Sequence, residues 1–109
     1  MKLYLTRPRS NVKAVAEYDI ANNSFIVLKG SIVSETIAYS EKFRGAKSIE
    51  KARVGVLDGA MVIKDVHFKS ASTAANFVTG SSTNGLTSWK DESGRLLKSI
   101  LSEKEDKNE

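Results

Sequence analysis

Lys13 to Ile20, KAVAEYDI, alternates apolar and polar side chains, and no other run constrains the fold as tightly. Ala14, Ala16, Tyr18 and Ile20 share one face, while Lys13, Glu17 and Asp19 share the other. A period of two is a strand with one buried face. ANNS follows, a turn of residues that tolerate left-handed backbone. FIVLKG then reads as a second strand, rich in β-branched and aromatic residues. Two strands about four residues apart predict an antiparallel hairpin. Gly30 interrupts the second run, and SIVSETI continues extended after a bulge or bend.

The middle of the chain turns helical. SEKFRGAKSIEKARVG offers Ser40 as an N-cap, but Gly45 weakens one continuous helix by ~1 kcal/mol relative to alanine. The helix is therefore expected over Ala46 to Arg53. VGVLDGAMVI reads either as two strands across Asp58-Gly59 or as a helix end, a turn and one strand. Val66 and Phe68 alternate with His67 and Lys69. Ser70 is a good N-cap for the next helix. Ala71, Ala74, Ala75 and Val78 fall at i, i+3, i+4 and i+7, an apolar stripe along a helix of about two and a half turns. Gly80 is placed to end it in a left-handed cap. SSTNGLTSW reads as loop with a turn at Asn84-Gly85, KDESGR as a turn with Gly94 at positive φ, and LLKSIL as a final strand or short helix.

These elements predict a single α+β domain: a mainly antiparallel sheet with two or three short helices. Residues 1–12 read as an N-terminal segment, 13–101 as the domain, and 102–109 as a disordered acidic tail. At 109 residues the chain can bury a core without staples, and it has no cysteine to make any. That excludes disulfides and thiolate metal sites and suits a reducing cytoplasm. No apolar run approaches the ~20 residues that span a bilayer, and MKLYLTRPRS is too short for a signal-peptide core, so no membrane partner is expected. The chain carries 17 basic and 13 acidic side chains; Ser102 to Glu109 holds four of the acids and two of the lysines, which leaves 15 basic against 9 acidic in the body. A basic body permits contact with nucleic acid or another polyanion.

Catalytic parts are lacking. His67 is the sole histidine, and its alternation with Val66 and Phe68 points it outward from a strand. Asp91 and Glu92 are neighbours in a predicted turn, where acids face water. No phosphate-binding glycine loop and no nucleophile-elbow motif occurs, and no spacing suggests metal ligands or a cofactor. Binding has more material. Ser81, Ser82, Thr83, Asn84, Thr87 and Ser88 offer hydroxyl and amide groups, flanked by Lys90 and Arg95. Trp89, the one tryptophan, could stack on a base; the favoured reading is a core anchor closing the helix on the sheet.

Two segments resemble a known family. FIVLKGSIVS is similar to F-x-V-x-K-G-S, and HFKSASTAANFVTGSSTNGLTSWKD is similar to F-x-S-x-S-x-A-A-x-x-V-x-G-x-x-x-N-G-x-x-x-W-K-D. Both resemble the DUF4357 family, a domain of unknown function, over roughly Ala14 to Leu97. Gly30, Ser31, Ser70, Ser72, Ala74, Ala75, Gly80, Asn84, Gly85, Trp89 and Lys90 occupy the matching positions. The family's middle helix is followed only loosely by IEKARVGVL. Members often stand C-terminal to GIY-YIG nucleases or beside restriction-modification proteins. A more distant resemblance is to the RAMA domain, proposed to recognise DNA.

The basic body, the hydroxyl-rich loop and the setting of that family together point to a non-enzymatic nucleic-acid-binding module, for DNA, associated with DNA modification or restriction. Lys29, Gly30, Ser31, Asn84, Gly85 and Lys90 are its expected contact residues, gathered on one surface with the two glycines allowing close backbone approach. The competing expectation is a protein-interaction scaffold in which the shared motif is purely structural.

Overall fold

The computed structural model describes residues 1–38 and 45–107, the last four of these by backbone alone. Among them the chain runs through β1 (Lys2–Arg7), a 3-10 turn (Pro8–Ser10), β2 (Val12–Asp19), β3 (Ser24–Val27) and α1 (Ala46–Arg53). It continues through β4 (Leu57–Asp58), β5 (Met61–Val62), β6 (Val66–Phe68), α2 (Ala71–Thr79), α3 (Gly85–Ser88) and α4 (Leu97–Lys107). Four strands make one antiparallel sheet in the order β1-β2-β3-β6, and β4 with β5 makes a two-stranded ribbon. The fold is α+β, as the sequence pattern predicts.

Alternation decides which face of the sheet is covered. Leu3, Leu5, Ala14, Ala16, Phe25 and Val27 are all buried and all point to one side. Helix α2 lies on that side because Ala74 and Ala75, both fully buried, are small enough to bring its backbone close. Phe77 and Val78 fill the space beside them, with the Phe77 ring 5.1 Å from Phe68. Trp89 enters the same layer, fully buried, its ring 5.0 Å from Phe25. The Tyr18 ring, opposite Phe25 on β2, lies 5.1 Å from it at a tilt of 39°.

The ends of α2 are tied on both sides. The Ser70 hydroxyl accepts from the Thr73 N–H at 3.1 Å, the predicted N-cap. Gly80 takes φ +72° and donates to the Asn76 carbonyl at 2.8 Å. Glycine is needed there twice over, since a Cβ would also lie 2.2 Å from the Thr36 carbonyl oxygen. Arg53, the last residue of α1, lays its guanidinium across this end. Nη2 donates to the Phe77 carbonyl at 2.6 Å and Nη1 to the Ser34 carbonyl at 2.9 Å. A cation on the last carbonyls of a helix satisfies orphan acceptors and opposes the negative end of the helix dipole.

The predicted helix over Ala46 to Arg53 and the strand pair across Asp58-Gly59 are both present. Ser40 lies outside the described residues. Three expectations need correction. Residues 1–12 are not a segment beside the domain: β1 pairs with β2 along its whole length, from Lys2↔Glu17 to Arg7↔Val12. The tail is not disordered from residue 102, because α4 continues to Lys107, its start anchored by buried Leu97 and Ile100. SSTNGLTSW is not all loop, since Gly85–Ser88 forms a helical turn.

Candidate nucleic-acid interface

The six residues expected to gather do not meet on one surface. Ser31 is buried at 2% exposure, and its hydroxyl accepts from the Val15 N–H at 3.0 Å and reaches the Val15 carbonyl at 3.2 Å. It repairs the ladder where the chain swerves at Gly30 (φ +95°), and its burial keeps it from a surface ligand. Gly30 donates to the Val62 carbonyl at 2.8 Å, and the Lys29 N–H donates to Asp65 at 2.9 Å. Those three residues are a joint between β2, β5 and the approach to β6. The Lys29 side chain is exposed, but β1 and β2 stand between it and Lys90, about 14 Å at three strand spacings.

Asn84 and Gly85 belong to the helical layer. The Asn84 side chain accepts from the Leu86 N–H at 3.0 Å, capping α3. Gly85 is buried against the start of α2, where a Cβ would lie 2.3 Å from the Ala71 carbonyl carbon. Its close approach is to its own chain. The Gly85 N–H donates to Ser72 Oγ at 3.1 Å, and the Trp89 indole N–H donates to the Ala71 carbonyl at 3.0 Å. Thr83 and Thr79 share a buried hydroxyl contact at 2.7 Å. Most of the loop's polar chemistry therefore holds the corner together.

Lys90 is the exception. It bridges to Tyr4, each residue donating its N–H to the other's carbonyl at 2.7 and 2.9 Å. Residues directly opposite in an antiparallel pair share a face, so Lys90 projects where Tyr4 does. That face is the one opposite α2. It carries Lys2, Tyr4 and Thr6 from β1, Lys13, Val15 and Glu17 from β2, Ile26 from β3 and His67 from β6. His67 is exposed there, as its alternation predicts.

Tyr4 sits at the middle of a cationic group. Lys90 is directly opposite it, Lys2 is two residues along the same strand, and Lys13 is its diagonal neighbour on β2. Strand geometry puts all three backbone positions within about 8 Å of Tyr4. The three lysines are exposed and form no ion pair among the described residues. Of the acids near these lysines, Glu17, directly opposite Lys2, is held by the N-terminal ammonium of Met1 at 2.8 Å, while Asp91 and Glu92 lie beside Lys2 and Lys90.

A cleft of about 560 Å³ opens beside Tyr4, where β1 runs on past its pairing with Lys90. Thr6 and Arg7 line one wall and Thr87, Ser88 and Lys90 the other. Tyr4 spends both backbone groups on Lys90, so strand alternation aims those of Thr6 into the cleft. At its end the Asp91 carboxylate is committed to its own turn, accepting from the N–H groups of Ser93 and Arg95, both at 2.9 Å. Arg95 is paired with Glu103, which holds its pKa above the ordinary value.

Tyr4 and Lys2 are not among the expected contact residues, since residues 1–12 read as a leading segment. The signal is there: Leu3 and Leu5 alternate with Lys2, Tyr4 and Thr6, the same period of two that marks β2. Among the described residues there is no group of three or more side chains suited to hold a metal ion, and no helix is long and apolar enough to cross a membrane. No curated protein and no solved structure gives a match to the chain. The family model for a domain of unknown function, DUF4357, matches residues 6–101, and the chain belongs to that family.

Proposed function

We propose that this protein is a non-enzymatic nucleic-acid-binding module, with DNA as its ligand and the sheet face opposite α2 as its contact surface. One observation carries the reading: Lys2, Lys13 and Lys90 surround a half-buried tyrosine and outnumber the acids beside them, and none of the three is in an ion pair among the described residues. Unpaired cations on one face attract phosphates, and the counterions they displace make such binding salt-dependent. The resemblance to domains found beside nucleases and restriction-modification proteins adds a setting in DNA processing, and the absence of cysteine suits a cytoplasmic one.

Fluorescence anisotropy with labelled oligonucleotides across a salt series tests this. Binding is expected at ~50 mM salt and should weaken steeply as salt rises. In the Lys2→Gln, Lys13→Gln, Lys90→Gln variant the slope of log K against log salt should be shallower by about two to three, at 0.7–0.9 per phosphate contact. No binding at low salt would refute the proposal.

A protein-interaction reading has one observation of its own. Val54, Met61 and Ile63, around the β4–β5 ribbon, are 78%, 47% and 39% exposed. The salt series separates the two readings, since apolar docking does not weaken as salt rises.

A further inference from the structure

We infer that the ligand is bound as a single strand, with one base stacked on Tyr4 and the adjoining nucleotide in the cleft at the β1 edge. This rests on the nucleic-acid reading above and goes beyond it in naming the form of the ligand.

The first argument is shape. A duplex is read by an element that enters a groove, usually a helix or a two-stranded ribbon. Here α2, the helix packed on the sheet, lies on the face opposite the lysines. The lysine face is a sheet surface whose alternate positions are Tyr4, Val15 and Ile26, all half-buried. Such a surface accepts the flat faces of bases, and base faces are free only in unpaired strands.

The second argument is scale. The lysines stand within about 8 Å of the Tyr4 backbone, close enough to reach phosphates on either side of a single stacked nucleotide. The third is the cleft. Its volume of about 560 Å³ falls in the range of pockets that hold small organic ligands. Its walls supply the Thr6 backbone groups, the Ser88 hydroxyl and the Thr87 oxygen as an acceptor for the edge of a base, with Arg7 and Lys90 at hand for phosphate and the acids Asp91 and Glu92 confined to its other end.

The test compares a labelled 12-nucleotide single strand with a 12-base-pair duplex, by anisotropy at ~50 mM salt, on the wild type and on Tyr4→Phe and Tyr4→Leu. The single strand should bind at least ten-fold more tightly. Tyr4→Phe should retain that affinity, and Tyr4→Leu should lose roughly five- to a hundred-fold, the range for removing one base–aromatic stack. Because Tyr4 is half-buried, a readout without mutation is added: photocrosslinking of a bromouridine-substituted single strand to the wild type should label Tyr4 or a residue lining the cleft. Duplex binding as tight as single-strand binding, an unaffected Tyr4→Leu, or crosslinks confined to other surfaces would overturn the inference and leave the broader reading standing. Failure of both oligonucleotides to bind would overturn both.

Discussion

The corner built from α2, α3 and Trp89 and the open face of the sheet are opposite solutions to the placing of polar groups. In the corner, Ser70, Ser72, Thr79, Thr83 and Asn84 all have partners within the chain, and the indole N–H is bonded to Ala71. On the sheet face, Lys2, Lys13 and Lys90 reach into solvent with no ion-pair partner among the described residues. The difference teaches that a dense polar motif can be scaffolding. The hydroxyls of Thr79 and Thr83 are buried and must be satisfied, and Ser70 and Asn84, though exposed, cap helices, so the spacing is set by the chain's own backbone. Groups free for a partner are those that the strands turn outward.

Substitutions should separate the two regions. The largest effect is expected from Trp89→Ala, which empties a fully buried site and removes the indole bond to the Ala71 carbonyl; a loss of about 3–5 kcal/mol in urea denaturation follows. Gly85→Ala comes next. Its methyl must displace the Ala71–Ser72 backbone, at about 1–3 kcal/mol by the same measurement. Ser31→Ala should cost about 1 kcal/mol for its bonds to Val15 and leave oligonucleotide affinity unchanged. A selective loss of affinity in Ser31→Ala with stability intact would break the comparison. The smallest stability effect belongs to the Lys2, Lys13, Lys90 glutamine variant, within about 0.5 kcal/mol of wild type because all three side chains are exposed.

The corner was legible in the sequence for a physical reason. The alanine stripe, the Ser70 cap, the left-handed Gly80 and buried Trp89 each follow from a local rule that tertiary context left intact. The hairpin of β2 and β3 was equally plain. The face that carries the lysines was not. Lys90 and Tyr4 are 86 residues apart, and no local rule says that they pair. Asn84 misled for the converse reason, since a side chain able to read a base is equally able to cap a helix, and the short α3 claims it. Gly30 was rightly read as a bend. Its neighbour Ser31 could not be placed, because the group it bonds lies 16 residues earlier in sequence.

The most direct test of the division between scaffold and surface is a ¹⁵N amide-shift titration of the wild type with a short single-stranded oligonucleotide. Lys2, Tyr4, Thr6, Lys13, Val15 and Lys90 should move together, while Ser31 and Thr79 through Gly85 stay in place. Shifts concentrated at Ser81 to Gly85, with the sheet face unmoved, would contradict the account and return the binding role to the polar loop.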